Sequence, residues 1–579
     1  MNLHIRNFYK IFLFFVIIPC ILSGCAQKQS GNADFNEYTN QLFTEEICAN
    51  TINLHYTLAY PENYGIKNYT PSLGNFTLEE LAQYTDDLLS LKEELSVFEY
   101  DTLDTDQQLT YDIIADYIDT ELSASDLYLY DELLSPTVGY QSQLPVLLAE
   151  YTFRTEKDID NYLELCGQIS SIFDSILEFE RAKSSAGLFM ADFAVDDIIS
   201  QMQDFIAVPS DNYMIAVFND KIDAFTDFSD ELRQSYKDKN YDLIINCVIP
   251  AYQTLIDGLS DLKGTGQNPG GLCYLPDGIK YYEYLVRSKT GSSKTVEQLK
   301  KNTEEFIMDS LTEMASVIQT HPEILDELDT CTFELTEPDA ILKDLISKVT
   351  ADFPEAPDVN YTIKYVHESM AEDASPAFYL TPPIDDIQNN IIYINPNYLS
   401  DDIYTTLAHE GYPGHLYQTV YTSSKNLPLV RNLFSYPGYS EGWATYVEYY
   451  SYGISGLDEN LAKVLSLNNA ASLGLYAYID LSVNYDGWDV QEVNNYLSMF
   501  GFTDETIADE IFRAMVEEPA NYLSYFIGYL EFLELREEAE KLCGTDFSLK
   551  EFHETVLTLG PAPFDILAGY MKASFENNN

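Results

Sequence analysis

Leu407-Ala-His-Glu-Gly-Tyr-Pro-Gly-His415 gathers His409, Glu410 and His415 into one short stretch, whereas His4, His55, His321, His367 and His553 are scattered singly. Zinc takes neutral imidazole and carboxylate ligands, and a catalytic site leaves one position for water. A glutamate beside the first histidine is suited to take the proton that such a water must lose. Downstream, Glu441 opens Glu441-Gly-Trp-Ala-Thr-Tyr-Val-Glu448, an apolar stretch with helical character. Glu441 is the candidate third ligand, from a second helix. Glu448 lies two helical turns further along the same segment and competes for that role.

The histidine spacing is not the usual one. In H-E-x-x-H the imidazoles are four residues apart and sit about 40° apart on one helix face. Here the step is six residues, which carries His415 about 240° around an unbroken helix, out of reach of a shared ion. Pro413 and Gly414 intervene, and a proline inside a helix removes a backbone donor and clashes with the preceding turn. The helix is therefore expected to bulge or break, and looping out two residues would restore the four-residue register. The alternative is a helix that ends at Gly411-Tyr412, with His415 merely capping the next segment.

The motif His409-Glu-Gly-Tyr-Pro-Gly-His415, with Glu441-Gly-Trp-Ala downstream, resembles that of the domain-of-unknown-function 885 family of bacterial proteins. That family in turn resembles the zinc peptidases called gluzincins, which use two histidines and a glutamate as ligands. Gly278-Ile-Lys-Tyr-Tyr282, Ala377-Phe-Tyr-Leu-Thr-Pro-Pro383, Tyr525-Phe-Ile-Gly528 and Phe547-Ser-Leu-Lys-Glu-Phe-His553 fall in the order expected of it. The resemblance covers most of the chain, with the N-terminal third matching only loosely. It implies a zinc peptidase with His409, His415 and Glu441 as ligands. Glu410 would be general base toward water and then proton donor to the leaving amine. It also implies an edge strand near the metal that binds the substrate backbone as an added strand. The segments Ala377–Leu380 and Asn390–Asn395 would serve there, with Tyr379 and Tyr393 against the substrate, or else form a plain hairpin covering the core.

Composition narrows the field. The chain has 579 residues, 46% of them hydrophobic, enough for a large core and two or three subdomains. Lys and Arg total 31 against 94 Asp and Glu, so the net charge is −63. Nucleic acid is excluded as a partner of the bulk surface, because phosphate contacts need a basic face. The chain begins with Arg6 and Lys10, an apolar run from Ile11 to Leu22, and then Leu22-Ser-Gly-Cys25, which resembles a bacterial lipobox. Residues 1–24 are therefore expected to be a lipoprotein signal peptide, Cys25 the lipidated residue, and 25–34 a flexible tether. That places the protein on the outer face of a cell membrane. Cys48, Cys166, Cys247, Cys273, Cys331 and Cys543 show no C-x-x-C spacing, so no cysteine metal site or redox motif is indicated. Disulfides and buried thiols both stay open for them.

The dominant period is helical. Thr77-Leu-Glu-Glu80 has the form of a capping box, before Leu78, Leu81, Leu88 and Leu95. Thr155 to Phe179 sets Ile159, Tyr162, Leu163, Cys166, Ile169, Ile172, Phe173 and Ile176 at three- and four-residue steps. The Gly/Pro-rich stretch Gly264–Gly271 divides an N-terminal helical subdomain, 35–263, from a metallopeptidase-like subdomain, 272–575. The expected class is mainly α, a helical shell around a gluzincin-like zinc site with a small β-element. Within the C-terminal helices, a phenol or imidazole donor is wanted to stabilise an oxyanion. Tyr525 and His553 are nominated, and Arg536 is a candidate clamp for a substrate carboxylate. Each is equally open to a structural role.

These features favour a zinc-dependent peptidase acting on peptides. A binding lipoprotein without catalysis is the main rival, and a glycoside hydrolase the weaker one. A structural zinc site fills all four positions with protein ligands, and no fourth Cys or His stands near the motif. A glycosidase needs two placed carboxylates, and the sequence singles out no such pair.

Overall fold

The computed structural model describes residues 32–328, 330–366, 375–398 and 403–578. The signal peptide and Cys25 lie outside the described residues. The fold is mainly helical with one three-stranded sheet.

The amphipathic run from Ile159 to Ile176 forms the middle of α1 (Glu156–Ala186). Thr155 and Asp158 close its capping box, and Gly187 stops it at φ 75°, where glycine meets no Cβ penalty. All eight apolar positions named above are buried. Burying each such side chain contributes roughly 1.5–3 kcal/mol. The pattern conceals one feature, since Glu180 and Lys183 are buried on the same helix. Lys183 Nζ pairs with Glu132 at 2.6 Å and donates to the Asp131 carbonyl at 2.7 Å. At Thr77 the N-cap forms, its hydroxyl accepting from Glu80 N–H, but Glu80 takes a bond from Asn75 instead of closing the box. Leu78 is 37% exposed while Leu81, Leu88 and Leu95 are buried.

One large core is built from residues between Ile52 and Leu259. A second, with Leu109 and Ile113 joining it, gathers residues from Tyr282 to Phe575. A third joins N-terminal Phe35, Phe43 and Ile114 to Val430 and Leu433. One continuous helix, Asp230–Leu262, is long and apolar enough to cross a membrane by length and composition. Its Ile244, Val248 and Leu255 pack into the first of these cores.

The second core carries the elements that frame the histidines. These are α2 (Gly278–Thr290), the strands β1 (Asn360–Tyr365), β2 (Ala377–Leu380) and β3 (Asn389–Ile394), then α3 (Ile403–Glu410), α4 (His415–Ser423), α5 (Pro437–Tyr452), α6 (Leu523–Cys543) and α7 (Leu549–Leu559). The sheet order is β1-β3-β2, with β3 antiparallel to β2 and parallel to β1. The hairpin expectation gave β2 and β3 but not β1. Its alternation of Tyr361, Ile363 and Tyr365 with Thr362 and Lys364 has the period of a strand.

Helices α5 and α6 touch backbone to backbone. A Cβ on Gly442 would lie 2.3 Å from the Gly528 carbonyl carbon, and one on Gly528 would lie 2.1 Å from the Gly438 carbonyl oxygen. Only glycine permits that approach.

The six described cysteines, Cys48 through Cys543, are free thiols. Cys166 is fully buried, in keeping with a small core residue.

Candidate metal centre

The six-residue step between the histidines is resolved by a break. Helix α3 ends at Glu410 and α4 starts at His415. Gly414 N–H donates to the Ala408 carbonyl at 2.9 Å, folding the chain back over the last turn of α3. A Cβ on Gly414 would lie 1.8 Å from the His409 carbonyl oxygen, so this return needs glycine. From α5, Trp443 Nε1–H donates to the Pro413 carbonyl at 2.9 Å and clasps the break from the other side. The imidazoles of His409 and His415 then stand 4.9 Å apart, centroid to centroid.

Glu441, one turn into α5, faces both. Its Oε2 lies 3.3 Å from His415 Nε2 and 3.6 Å from His409 Nε2. Ligand atoms 2.0–2.1 Å from a tetrahedral zinc are about 3.3 Å from one another. The two Glu441 contacts are close to that spacing. Glu410 also lies beside the histidines, with ligating atoms of His409, Glu410 and His415 all within 4.8 Å. Two carboxylates thus compete for the third position. Glu410 Oε2 already accepts the Tyr379 N–H at 2.9 Å, whereas Glu441 contacts both Nε2 atoms. Glu441 thus faces both imidazoles, and Glu410 stands beside them held by the Tyr379 N–H.

Glu448 has a different place. Its Oε2 is 2.9 Å from His409 Nδ1, which orients the ring with Nε2 toward Glu441. The seven-residue step from Glu441 puts both glutamates on one helix face, so the signal was present in the sequence.

The electrostatics follow the packing. Burial raises the Glu441 carboxyl, but His415 and His409 outweigh it and hold the group well below the usual range. Burial lowers His409, yet Glu441 and Glu448 outweigh it and the net shift is well upward. Burial raises Glu410, with the two histidines opposing. Tyr525 stacks at 22° to the His409 ring, 6.4 Å away. The Glu441 charge, then burial and Glu410, push its phenol well up, so it keeps its proton and can donate.

Other nominated residues fall elsewhere. His553 is fully buried on α7, with Nδ1 2.7 Å from the Asp352 carbonyl and Nε2 3.0 Å from the Tyr446 hydroxyl. Burial lowers its pKa to about 3, so both neighbours hold a neutral ring. Arg536 donates to Glu540 at 2.9 Å and stands eleven residues beyond Tyr525, about 16 Å along α6. The Tyr379 phenol donates to Asn390 at 2.6 Å, so this residue meets Glu410 by its backbone N–H instead. The Tyr393 phenol donates to Glu150 at 2.5 Å and its ring stacks on Phe378. Sequence reasoning had no means of finding the Tyr379 N–H, because a backbone donor leaves no mark on residue type.

A family model described as a bacterial protein of unknown function, DUF885, matches residues 62–571. No curated protein matches the chain. Among solved structures, a candidate lipoprotein from Colwellia psychrerythraea is 19% identical with a TM-score of 0.83, over 94% of this chain and 99% of its own. A candidate lipoprotein of unknown function from Shewanella oneidensis is 18% identical with a TM-score of 0.65, over 93% and 99%. At these identities the likeness is one of fold.

Proposed function

The chain belongs to the DUF885 family of bacterial proteins, and on that premise we propose that it is a zinc-dependent peptidase of gluzincin type. The observation that carries the reading is the convergence of His409, Glu410 and His415 within 4.8 Å, with Glu441 3.3 and 3.6 Å from the two imidazoles. These three side chains would hold the ion, and Glu448 would orient His409. When bound, zinc supplies a Lewis acid that polarises a carbonyl and makes water easier to deprotonate. Glu410 takes the proton from the attacking water and passes it to the leaving amine. The Tyr379 N–H holds one Glu410 oxygen. Tyr525 donates its phenolic hydrogen to the developing oxyanion. β2 is an edge strand, and its Tyr379 N–H points away from β3 toward the histidines. A peptide added along that edge would pass the site. His553 and Arg536 are left out of the chemistry, as core and helix-surface residues.

The second reading is a lipoprotein that binds peptides without cleaving them. It is favoured by the two solved neighbours, which are described as candidate lipoproteins. Both readings include a lipid anchor at Cys25 on the outer face of the cell membrane. A Cys25→Ser chain that stays in the membrane fraction would remove the anchor.

Glu410→Gln separates the two readings. The peptidase requires zinc at about one per chain in both forms and a ~10²–10⁴-fold loss of peptide hydrolysis. Equal hydrolysis by both forms refutes the mechanism, and no hydrolysis by either favours the binding protein.

A further inference from the structure

The first turn of α6 carries Tyr525 and lacks a side-chain cap, because Tyr522 at the N-cap makes no such hydrogen bond. A helix start without a cap leaves backbone N–H groups unsatisfied and frays readily. Tyr525 nonetheless stands with its ring 6.4 Å from that of His409. Two contacts bracket it along the chain. Beyond it is the close approach of Gly528 to Gly438 and Gly442. Before it is Ala520, five residues earlier.

Among the described residues, two other than glycine have positive φ, Asn426 at 53° and Ala520 at 64°. Asparagine is eased there by local hydrogen bonds of its side chain, and alanine has no such compensation. A residue held in that region persists only where its surroundings over-determine it, and such residues gather at functional sites. Ala520 is fully buried, and its N–H donates to both oxygens of Asp480, at 2.9 and 3.2 Å. Asp480, in the helix Glu459–Leu481, is fully buried too. It also accepts from the Tyr282 hydroxyl at 2.5 Å and from Asn484 Nδ2 at 3.2 Å. Asn484 in turn donates to the Met515 carbonyl at 2.9 Å and accepts the Leu272 N–H at 3.1 Å. Through these bonds Asp480 is fastened to α2 and to its own helix, and it fixes the strained turn that leads into α6. A buried polar network paired in this way is stiff.

We propose that Asp480 is a positioning residue whose grip on the Ala520 N–H holds the first turn of α6, and with it the Tyr525 ring, beside the histidines. The proposal deepens the peptidase reading and rests on it for the role of Tyr525 as a donor. Asp480 itself touches neither substrate nor the reacting atoms.

Two readouts test this, and the first needs no activity. A fluorotyrosine placed at position 525 alone reports the surroundings of that ring by fluorine NMR. Asp480→Asn keeps the shape of the side chain but replaces one accepting oxygen with a donor, among neighbours that are all donors. The label should shift in the folded variant by more than in His553→Ala, which controls for lost stability alone. The second readout is turnover. Asp480→Asn should lower kcat about 10- to 100-fold with zinc content and KM nearly unchanged, since a misplacement of about 1 Å costs that much. In a Tyr525→Phe background the same change should have little further effect, because residues that act through one group are not additive. Tyr282→Phe removes one donor to Asp480 and leaves Ala520 alone. It should show both effects more weakly, and it replaces Asp480→Asn if that chain does not fold. An unmoved label in the folded variants, an equal shift in His553→Ala, or kcat losses that multiply between Asp480→Asn and Tyr525→Phe would overturn the assignment. A label moved by Asp480→Asn in a protein whose unaltered form hydrolyses no peptide would instead refute the peptidase reading and leave the positioning contact standing.

Discussion

Glu448 Oε2 accepts the hydrogen of His409 Nδ1 across 2.9 Å, so the orientation of that imidazole is set by the helix that also carries Glu441. Removing a carboxylate in that position typically costs 10- to 100-fold in metal affinity (about that much is expected here). Glu448→Ala should therefore weaken zinc in a chelator competition titration, and Glu441→Gln should weaken it further. Equal affinity in Glu448→Ala and the unaltered chain would mean that His409 is oriented by its packing alone.

The backbone contact between α5 and α6 sets Tyr525 opposite the histidines. Gly528→Ala places a methyl 2.1 Å from the Gly438 carbonyl oxygen and must push the helices apart. The expected cost is about 1–3 kcal/mol or more, read as a lower denaturation midpoint, together with reduced zinc content. Unchanged stability would show that the two helices separate freely.

The proposed function divides Tyr525 and His553 into chemistry and structure. Tyr525→Phe should leave zinc in place and lower kcat by about 10²–10³-fold with little change in KM. His553→Ala should instead leave the Tyr446 hydroxyl and Asp352 carbonyl without their partner, at about 1–3 kcal/mol of stability. Its folded fraction should turn over normally. Reversed outcomes would exchange the two roles.

Asp480 gives the fold a pH dependence of its own. Burial raises its pKa to about 7, against hydrogen bonds from Tyr282, Asn484 and the Ala520 N–H. The unfolded value is about 3.9, so the native chain holds the extra proton between about pH 4 and 7. Stability contributed by this group is full below pH 4, falls as pH rises toward 7, and is level above it. Asp480→Asn should flatten that slope by roughly 3–4 kcal/mol across the window, measured by denaturation at several pH values. Parallel curves for both chains would place the titration elsewhere.

The helical class and several of the elements were legible because they rest on local rules. The three- and four-residue steps from Ile159 to Ile176 bury one face whatever lies opposite, and Thr155 caps the helix with its own side chain. Pro413 and Gly414 announced the break between the histidines, since a proline and a glycine act on their own turn. Strand β1 was missed because its alternation is short and half polar, and pairing with β3 completes it.

The sequence by itself determined a mainly helical chain and the residue types of a candidate metal site, His409, Glu410, His415 and Glu441, because periodicity and spacing are properties of neighbours. Only the tertiary structure decided where each carboxylate stands. Glu441 faces two imidazoles, Glu448 stands behind one of them, and Glu410 is held by the Tyr379 N–H. It also moved His553 and the Tyr379 and Tyr393 phenols to partners elsewhere. These assignments depend on distances between segments far apart in the chain. Such distances are fixed by helix-on-helix contacts such as Gly442 on Gly528, which no local pattern encodes.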